Sequence, residues 1–386
     1  MKAASGSPTA GDSTQGTPPL GKTRPPFPPT PYFGRDVRRY LEEHPQQGQS
    51  VVDFTDSVLR CVMEPHIAKA RRARIKVLAG APSTPPFETS IRPKPTCSIP
   101  RHIQHIPVDT SRLRRALQEL LQVEDLALLH LQQTTACNNT SPTEDQQPKF
   151  NKKKLLRPLL DVEARSIFHQ AYHDLVREHV LPYVLSRIQH QDPCPTSLRF
   201  RYQAFPCLRV IRPGEFSIGP HCDAAYGHAA INLNVYVPLT QAMPGGTGVP
   251  RGVEDSRAPN NTASLFTESQ PGREDWQALP MSLNCLSILD GAQCIHFTLE
   301  NTTPYTRVSL DFRLALLQDD NGDNNSRSSS GIPLWNDRYT SPPGYYVYGT
   351  VELHGTNNEK NVPVFRFDES YWPRQVDARV GFPFGK

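Results

Sequence analysis

Paired cysteines are missing from this chain. Its eight cysteines (61, 97, 137, 194, 207, 222, 285 and 294) are scattered over 386 residues, with no C-x-x-C among them. That scatter excludes a disulfide framework and a zinc knuckle, and points to a reduced, intracellular, cytoplasmic setting. Long apolar runs are missing too. No stretch approaches the ~18 residues of a membrane helix, and the N-terminus lacks the apolar stretch of a secretory signal. No membrane partner is therefore expected, and triplets such as Asn301-Thr302-Thr303 read as chance rather than as glycan sites. An excess of one charge is also absent. The 42 basic and 38 acidic residues are mixed, for a net +4, which gives no argument for nucleic acid.

Apolar residues themselves are sparse at 37%, while proline is abundant at 39 residues. Globular chains usually reach about 45–50% by a count that includes glycine. A real core must therefore coexist with long non-core segments. Composition divides the chain into four parts. Residues 1–34, rich in Pro, Gly, Ser and Thr, cannot bury enough apolar area to offset their ordering entropy and read as a disordered tail. Their few acids and many hydroxyls also fit an organelle transit peptide. Residues 35–159 read as a helical and irregular region, 160–318 as the main domain with a leading helix, and 319–386 as a flexible link and C-terminal extension.

Helical patterning is clearest at 111–133, where Leu113, Leu117, Leu120, Leu121 and Leu128 share a face behind capping residues Asp109 to Ser111. A second amphipathic helix spans 161–188, with Ile167, Ala171, Leu175 and Val176 on one side. Pro182 should end or kink it. His169 and His173 stand at zinc-binding spacing there, but no glutamate follows the first as H-E-x-x-H requires. The basic cluster Lys69, Arg71, Arg72, Arg74 and Lys76 reads as a solvated helix face.

The texture changes near residue 196. Short β-rich runs separated by Gly, Pro and Asn signals indicate a sandwich or barrel. One run alternates: Ile231, Leu233, Val235 and Val237 on one face, Asn232, Asn234 and Tyr236 on the other. Periodicity leaves open whether the polar face is a wet interior or an outer surface.

Within this region, "FSIGPHCDAAYGH" places His221 and Asp223 one residue apart. In extended chain, residues i and i+2 point the same way, so both can reach one ion while Cys222 faces the opposite side. His296, 75 residues after His221 in "ILDGAQCIHFTLEN", supplies the third ligand. Two histidines and a carboxylate with open positions suit non-haem Fe(II). His228 competes for the third place but lies too near in sequence to come from an opposing strand. Arg307 and Ser309 share a face of "TRVSLDFRLAL", and a guanidinium beside a hydroxyl makes a carboxylate clamp. Arg313 has the same parity and is the weaker candidate; an outward salt bridge from Arg307 to Asp311 is the competing reading. Asn234, on the polar face, is a candidate for contacting a bound cofactor or substrate. Tyr226, His228, Asn232 and Glu268, with Ser269 and Arg273, are candidates for contacting substrate.

Taken in order, His221-x-Asp223, His296 and Arg307-x-Ser309 resemble the signature of Fe(II)/2-oxoglutarate-dependent oxygenases. "HCDAAYGHAAINLNVYVPLT", "SLFTESQPGREDWQAL" and "DGAQCIHFTLENTTPYTRVSLDFRL" are similar to the StrG-like branch, named after a streptomycin-biosynthesis protein. The resemblance covers roughly 160–318. It implies an α+β chain with a double-stranded β-helix (jelly roll) core flanked by N-terminal helices. It further implies iron held by His221, Asp223 and His296, and 2-oxoglutarate with its distal carboxylate on Arg307 and Ser309. O2 would be the oxidant, with succinate and CO2 as co-products. The implied substrate is a small polar molecule, alcohol-rich or sugar-like, which the enzyme hydroxylates. A peptide or protein hydroxylase is the same chemistry with another partner. A cupin-like module that binds metal or sugar without turnover is the alternative outside that class.

Overall fold

In the computed structural model the described residues are 43, 57–79, 102–132, 152–188, 197–215, 217–241, 265–299, 301, 303–318, 345–352 and 363–367. The expectations for 1–34 and for the flexible link directly after residue 318 lie outside them. The architecture is mixed: helices packed on antiparallel sheet. Strands are β1 (Gln104–Pro107), β2 (Ser197–Gln203), β3 (Cys207–Ile211), β4 (Leu233–Pro238), β5 (Leu265–Glu268), β6 (Trp276–Ala278), β7 (Cys285–Leu289), β8 (His296–Thr298), β9 (Arg307–Gln318), β10 (Tyr346–Glu352) and β11 (Val364–Phe367). The large sheet runs β1-β7-β4-β9-β2-β10-β11, with β3 also on β9; the small sheet is β6-β5-β8. β9 is long enough to pair β3 along its first half and β2 along its second.

Strand alternation explains both layers of this arrangement. On β9, Val308, Leu310, Phe312 and Leu314 enter the main core, as do Leu233, Val235 and Val237 on β4. Helices α2 (Ser111–Leu121) and α3 (Ser166–Leu175) cover that face, with Tyr172 edge-on to Phe312 at 5.2 Å between centroids. The opposite parity of β4 and β9 faces a cavity between the two sheets, lined among others by Asn234, Tyr236, Arg307, Ser309 and Asp311. The polar face is therefore a buried interior. Ile231 lies outside β4, half-buried in the preceding turn, rather than on its core face.

One core crosses the divisions drawn from composition. Ile106, Leu129 and Leu156 on one side and Val347 and Val351 on the other belong to the same cluster as the central strands. β1 completes the β7 edge and β10 pairs with β2, so segments outside 160–318 are structural members of the sheet. Among the described residues, no helix is long and apolar enough to cross a membrane. Asn301 is fully buried and bonded to Ile211 and Tyr305 backbone carbonyls, which leaves no room for a glycan.

The helices depart from their sequence patterns in informative ways. The predicted helix 111–133 stops at Leu121, where Gln122 turns left-handed (φ 55°) and bonds back to Gln118 and Glu119 carbonyls. A 3-10 turn, Leu126–Leu131, follows, and Leu128 is exposed. Pro182 does not end its helix. A π-turn, Val176–Val180, precedes it and α4 (Leu181–Ile188) continues beyond; widening the turn accommodates the ring and the lost N–H. Ile167 is exposed, and the buried face is instead Phe168, Ala171, Tyr172 and Leu175. His169 and His173 are buried in contact with each other (3.1 Å), bonded to the Ala204 carbonyl and the Tyr202 hydroxyl.

Helix α1 (Ser57–Ala79) corrects the reading of its basic cluster. Met63, Ile67, Ala70 and Ala73 make an inward stripe, and Arg74 on that stripe is buried. Arg72 and Lys76 stay exposed as a solvated face would.

Candidate metal centre

His221 and His296 are opposite one another in an antiparallel bridge, each donating its N–H to the other's carbonyl (3.1 and 2.8 Å). Directly opposed residues point to the same face of a sheet, and the two ring centroids lie 4.2 Å apart. Cys222 is extended (φ −117°, ψ 148°), so Asp223 follows His221 on the same side. Cys222 itself turns away into a small apolar cluster with Ala73 and Ala225. The chain then closes in a 3-10 turn ending at Gly227 (φ 93°), a left-handed position that glycine fills without strain.

The ligand atoms of His221, Asp223 and His296 lie within 4.8 Å of one another, and all three residues are buried. Each imidazole Nδ1 faces a backbone carbonyl, Gly219 for His221 (3.0 Å) and Cys294 for His296 (3.1 Å). A carbonyl only accepts, so Nδ1 carries the proton and Nε2 presents a lone pair. Both Nε2 atoms approach Asp223 Oδ1, at 3.4 and 3.7 Å. Burial, helped by the neighbouring His221, pushes His296 down to about 4, which keeps it neutral.

Asp223 Oδ2 is occupied. It accepts from Arg313 Nε (2.9 Å) and a second guanidinium nitrogen (2.8 Å), and from Asn234 Nδ2 (2.8 Å). Burial alone would raise the Asp223 carboxyl; Arg313 and the histidines outweigh it and hold it well below the usual carboxylate range. Arg313 is thus engaged by Asp223 rather than free to clamp an anion, and Asn234 bonds the same oxygen through its amide nitrogen.

Further into the cavity stands Arg307, 3% exposed, with none of its three guanidinium nitrogens bonded. The competing partner Asp311 is taken by Arg209, in two bonds of 2.7 and 3.1 Å. An unpaired buried guanidinium costs several kcal/mol, and burial pushes its pKa down. Ser309 and Tyr236 line the same space, and the Tyr236 hydroxyl donates to Met281 Sδ. Apolar walls are supplied by Ile211, Ile218, Leu265 and Leu289. The cavity thus has an unbonded guanidinium, Arg307, in the same lining as His221 and His296. A donor set of two imidazole nitrogens and one carboxylate oxygen suits a divalent cation.

The other sequence candidates are placed differently. Tyr226 stands edge-on to the His221 ring at 5.2 Å. His228 is buried next to the turn, its N–H on the Asp223 carbonyl (3.3 Å), and its ring is 6.5 Å from Tyr345. Asn232 bonds Arg201 (3.0 Å) and Tyr346 (3.3 Å), away from the cluster. Glu268 is fully buried and accepts from Arg74, Gly272 N and Ile295 N. Ser269 bonds Asp275, and Arg273 lies in an exposed turn. The residues that sequence reasoning missed are Tyr236 and, in its actual task, Arg313. Shared strand parity with Asn234 and with Arg307 was the available signal.

No family model matches the chain, and no curated protein matches it. Solved structures do. One is an oxidoreductase of the 2OG-Fe(II) oxygenase family from Burkholderia pseudomallei, 12% identical over 39% of this chain and 58% of that one, TM-score 0.24. Another is a Pseudomonas putida prolyl-4-hydroxylase, 13% identical over 39% and 66%, TM-score 0.23. A third is the non-heme monooxygenase ThoJ in a nickel complex, 14% identical over 56% and 77%, TM-score 0.30. The chain spans less than two thirds of the first two. The functional case is therefore made by the site's own geometry.

Proposed function

We propose that this chain is a non-haem Fe(II) oxygenase dependent on 2-oxoglutarate, its two sheets forming the walls of a double-stranded β-helix. The observation that carries the reading is Arg307: a buried guanidinium without a partner, in the cavity that His221 and His296 of the His–Asp–His cluster also line. His221 Nε2, Asp223 Oδ1 and His296 Nε2 would hold the iron. Arg307, with Ser309 and Tyr236, would take the distal carboxylate of 2-oxoglutarate. When bound, the pair supplies an oxidising centre: a substrate C–H, O2 and 2-oxoglutarate become C–OH, succinate and CO2.

The protein's part is positional. Backbone carbonyls of Gly219 and Cys294 fix both imidazole tautomers. Arg313 and Asn234 hold Asp223 by Oδ2, which favours one-oxygen ligation and leaves positions open. The apolar walls exclude water from the co-substrate. Tyr226, edge-on to His221, is the residue best placed to meet substrate. A small polar molecule, alcohol-rich or sugar-like, is the proposed substrate, by likeness to the StrG-like branch alone.

The test is anaerobic addition of 2-oxoglutarate to the Fe(II)-loaded protein. A visible charge-transfer band should appear, and His221→Ala should lack it. A folded, iron-loaded wild type that shows no band and no 2-oxoglutarate binding would overturn the reading.

A further inference from the structure

Helix α1 touches both chain segments that carry the metal-site side chains. On one side Ala73 packs against Cys222 and Ala225, with Tyr226 against the same cluster, in the turn that contains Asp223. On the other, Arg74 reaches the segment just before His296: its Nη1 donates to Glu268 Oε2 (2.8 Å) and to the Gln293 carbonyl (3.2 Å). Glu268 Oε2 in turn accepts from Ile295 N (2.6 Å), the residue next to His296, and Oε1 accepts from Gly272 N (3.1 Å). One turn away on the helix, Arg71 bonds Glu274 at 2.8 Å. The two arginines therefore grip both ends of the β5–β6 turn, while β5 places Thr267 opposite His296.

The acid and base here are not a solvated pair. Glu268 is fully buried, and the Arg74 side chain is 10% exposed. Breaking such a pair from one side leaves an uncompensated buried charge, so its geometry is strongly enforced. The backbone it enforces is that of residues 293–295, which ends in His296.

We propose that Arg74, acting through Glu268, is a positioning residue for the metal centre, and that α1 sets the spacing between Asp223 and His296. The N-terminal helix is then a working part of the site. This inference rests on the metal reading of His221, Asp223 and His296, but not on the identity of the co-substrate.

The experiment titrates Co(II), read by its visible absorption, into the full-length wild type and the variants Arg74→Gln, Glu268→Gln and Arg74→Lys. Disturbing the groups that orient metal ligands costs about 10–100-fold in affinity. Arg74→Gln and Glu268→Gln should weaken Co(II) binding within that range and alter the band shape, and Arg74→Lys should restore most of the loss. Arg112→Gln, which breaks the ion pair to Asp174 in the helical layer, should leave the titration unchanged. If Arg74→Gln does not fold, the milder Arg71→Gln reads the same grip and should weaken binding several-fold. Folded variants that bind Co(II) as the wild type does, with only a lower melting temperature, would overturn the proposal. A wild type that binds no Co(II) would remove the metal reading and this inference with it. A wild type that binds Co(II) but ignores 2-oxoglutarate would sink the co-substrate reading alone.

Discussion

Arg313 gives two nitrogens, Nε and a terminal one, to a single oxygen of Asp223, at 2.9 and 2.8 Å. The other oxygen is thereby left turned toward two imidazoles. The guanidinium is itself held by Gln203 Oε1 (3.2 Å) and lies near Asp311 (3.6 Å). A carboxylate anchored this way would enter the proposed metal site already ionised and already aimed. Arg313→Gln should weaken Fe(II) binding by about 10–100-fold, with Arg313→Lys intermediate because it loses the two-nitrogen grip. Equal Fe(II) affinity in all three proteins would show that the anchor does no orienting.

Gly291 allows Asn234 to reach Asp223. A Cβ at 291 would fall 2.4 Å from Asn234 Nδ2, well inside contact. Gly291→Ala should therefore displace the amide and resemble Asn234→Ala in metal affinity, and combining the two should add little more. Additive losses in a double-mutant cycle would refute the coupling.

Under the proposed function, Arg307 should separate co-substrate binding from metal binding. Arg307→Met should raise the 2-oxoglutarate requirement by about 100-fold, the loss of a strong charge-assisted contact, and leave Fe(II) affinity within about threefold. Without ligand, the same variant should be more stable than the wild type by about 1–3 kcal/mol, because it removes an uncompensated buried charge. Denaturant titrations of the apoproteins read this directly; a less stable Arg307→Met would contradict the orphaned-charge argument.

Ligand binding should feed into folding. At 100 times its dissociation constant a ligand that binds only the native state adds about 2.7 kcal/mol. Mn(II), a redox-silent stand-in for Fe(II), should raise the melting temperature of the wild type, and 2-oxoglutarate should add a second increment. His296→Ala should lose both, and Arg307→Met only the second. Any other pattern would break the assignment of the two subsites.

The buried His169 sets an acid limit on stability. Burial, despite the Ala204 carbonyl, pushes it down to about 4 from an ordinary value near 6.5. Its folded form resists protonation, so the unfolded chain binds the extra proton at mildly acid pH. Stability is therefore complete above about pH 6.5 and falls as pH drops toward 4, by about 3 kcal/mol from this residue. His169→Gln should flatten that part of the profile in urea titrations at pH 7.5 and 4.5. An unchanged slope would place the loss elsewhere.

Much of the site is legible because strands impose a period of two. His221 and Asp223 fall on one side, as do Arg307, Ser309 and Arg313, and that much follows from the pleat. Glycine and proline punctuation marks the strands that carry them. Helix limits were less legible: Gln122 and the π-turn before Pro182 are local backbone solutions that hydrophobic spacing does not encode.

What the amino-acid order determined by itself is which side chains share a face, because alternation along a strand is a local property. Which of those faces meet was decided by tertiary structure. The pairing of His221 with His296, the removal of Asp311 from Arg307 by Arg209, and the descent of Arg74 onto Glu268 join residues 75, 102 and 194 positions apart. Burial then gives each arrangement its force: a charge or imidazole excluded from water has no substitute partner, so the fold must supply one or leave it waiting for a ligand.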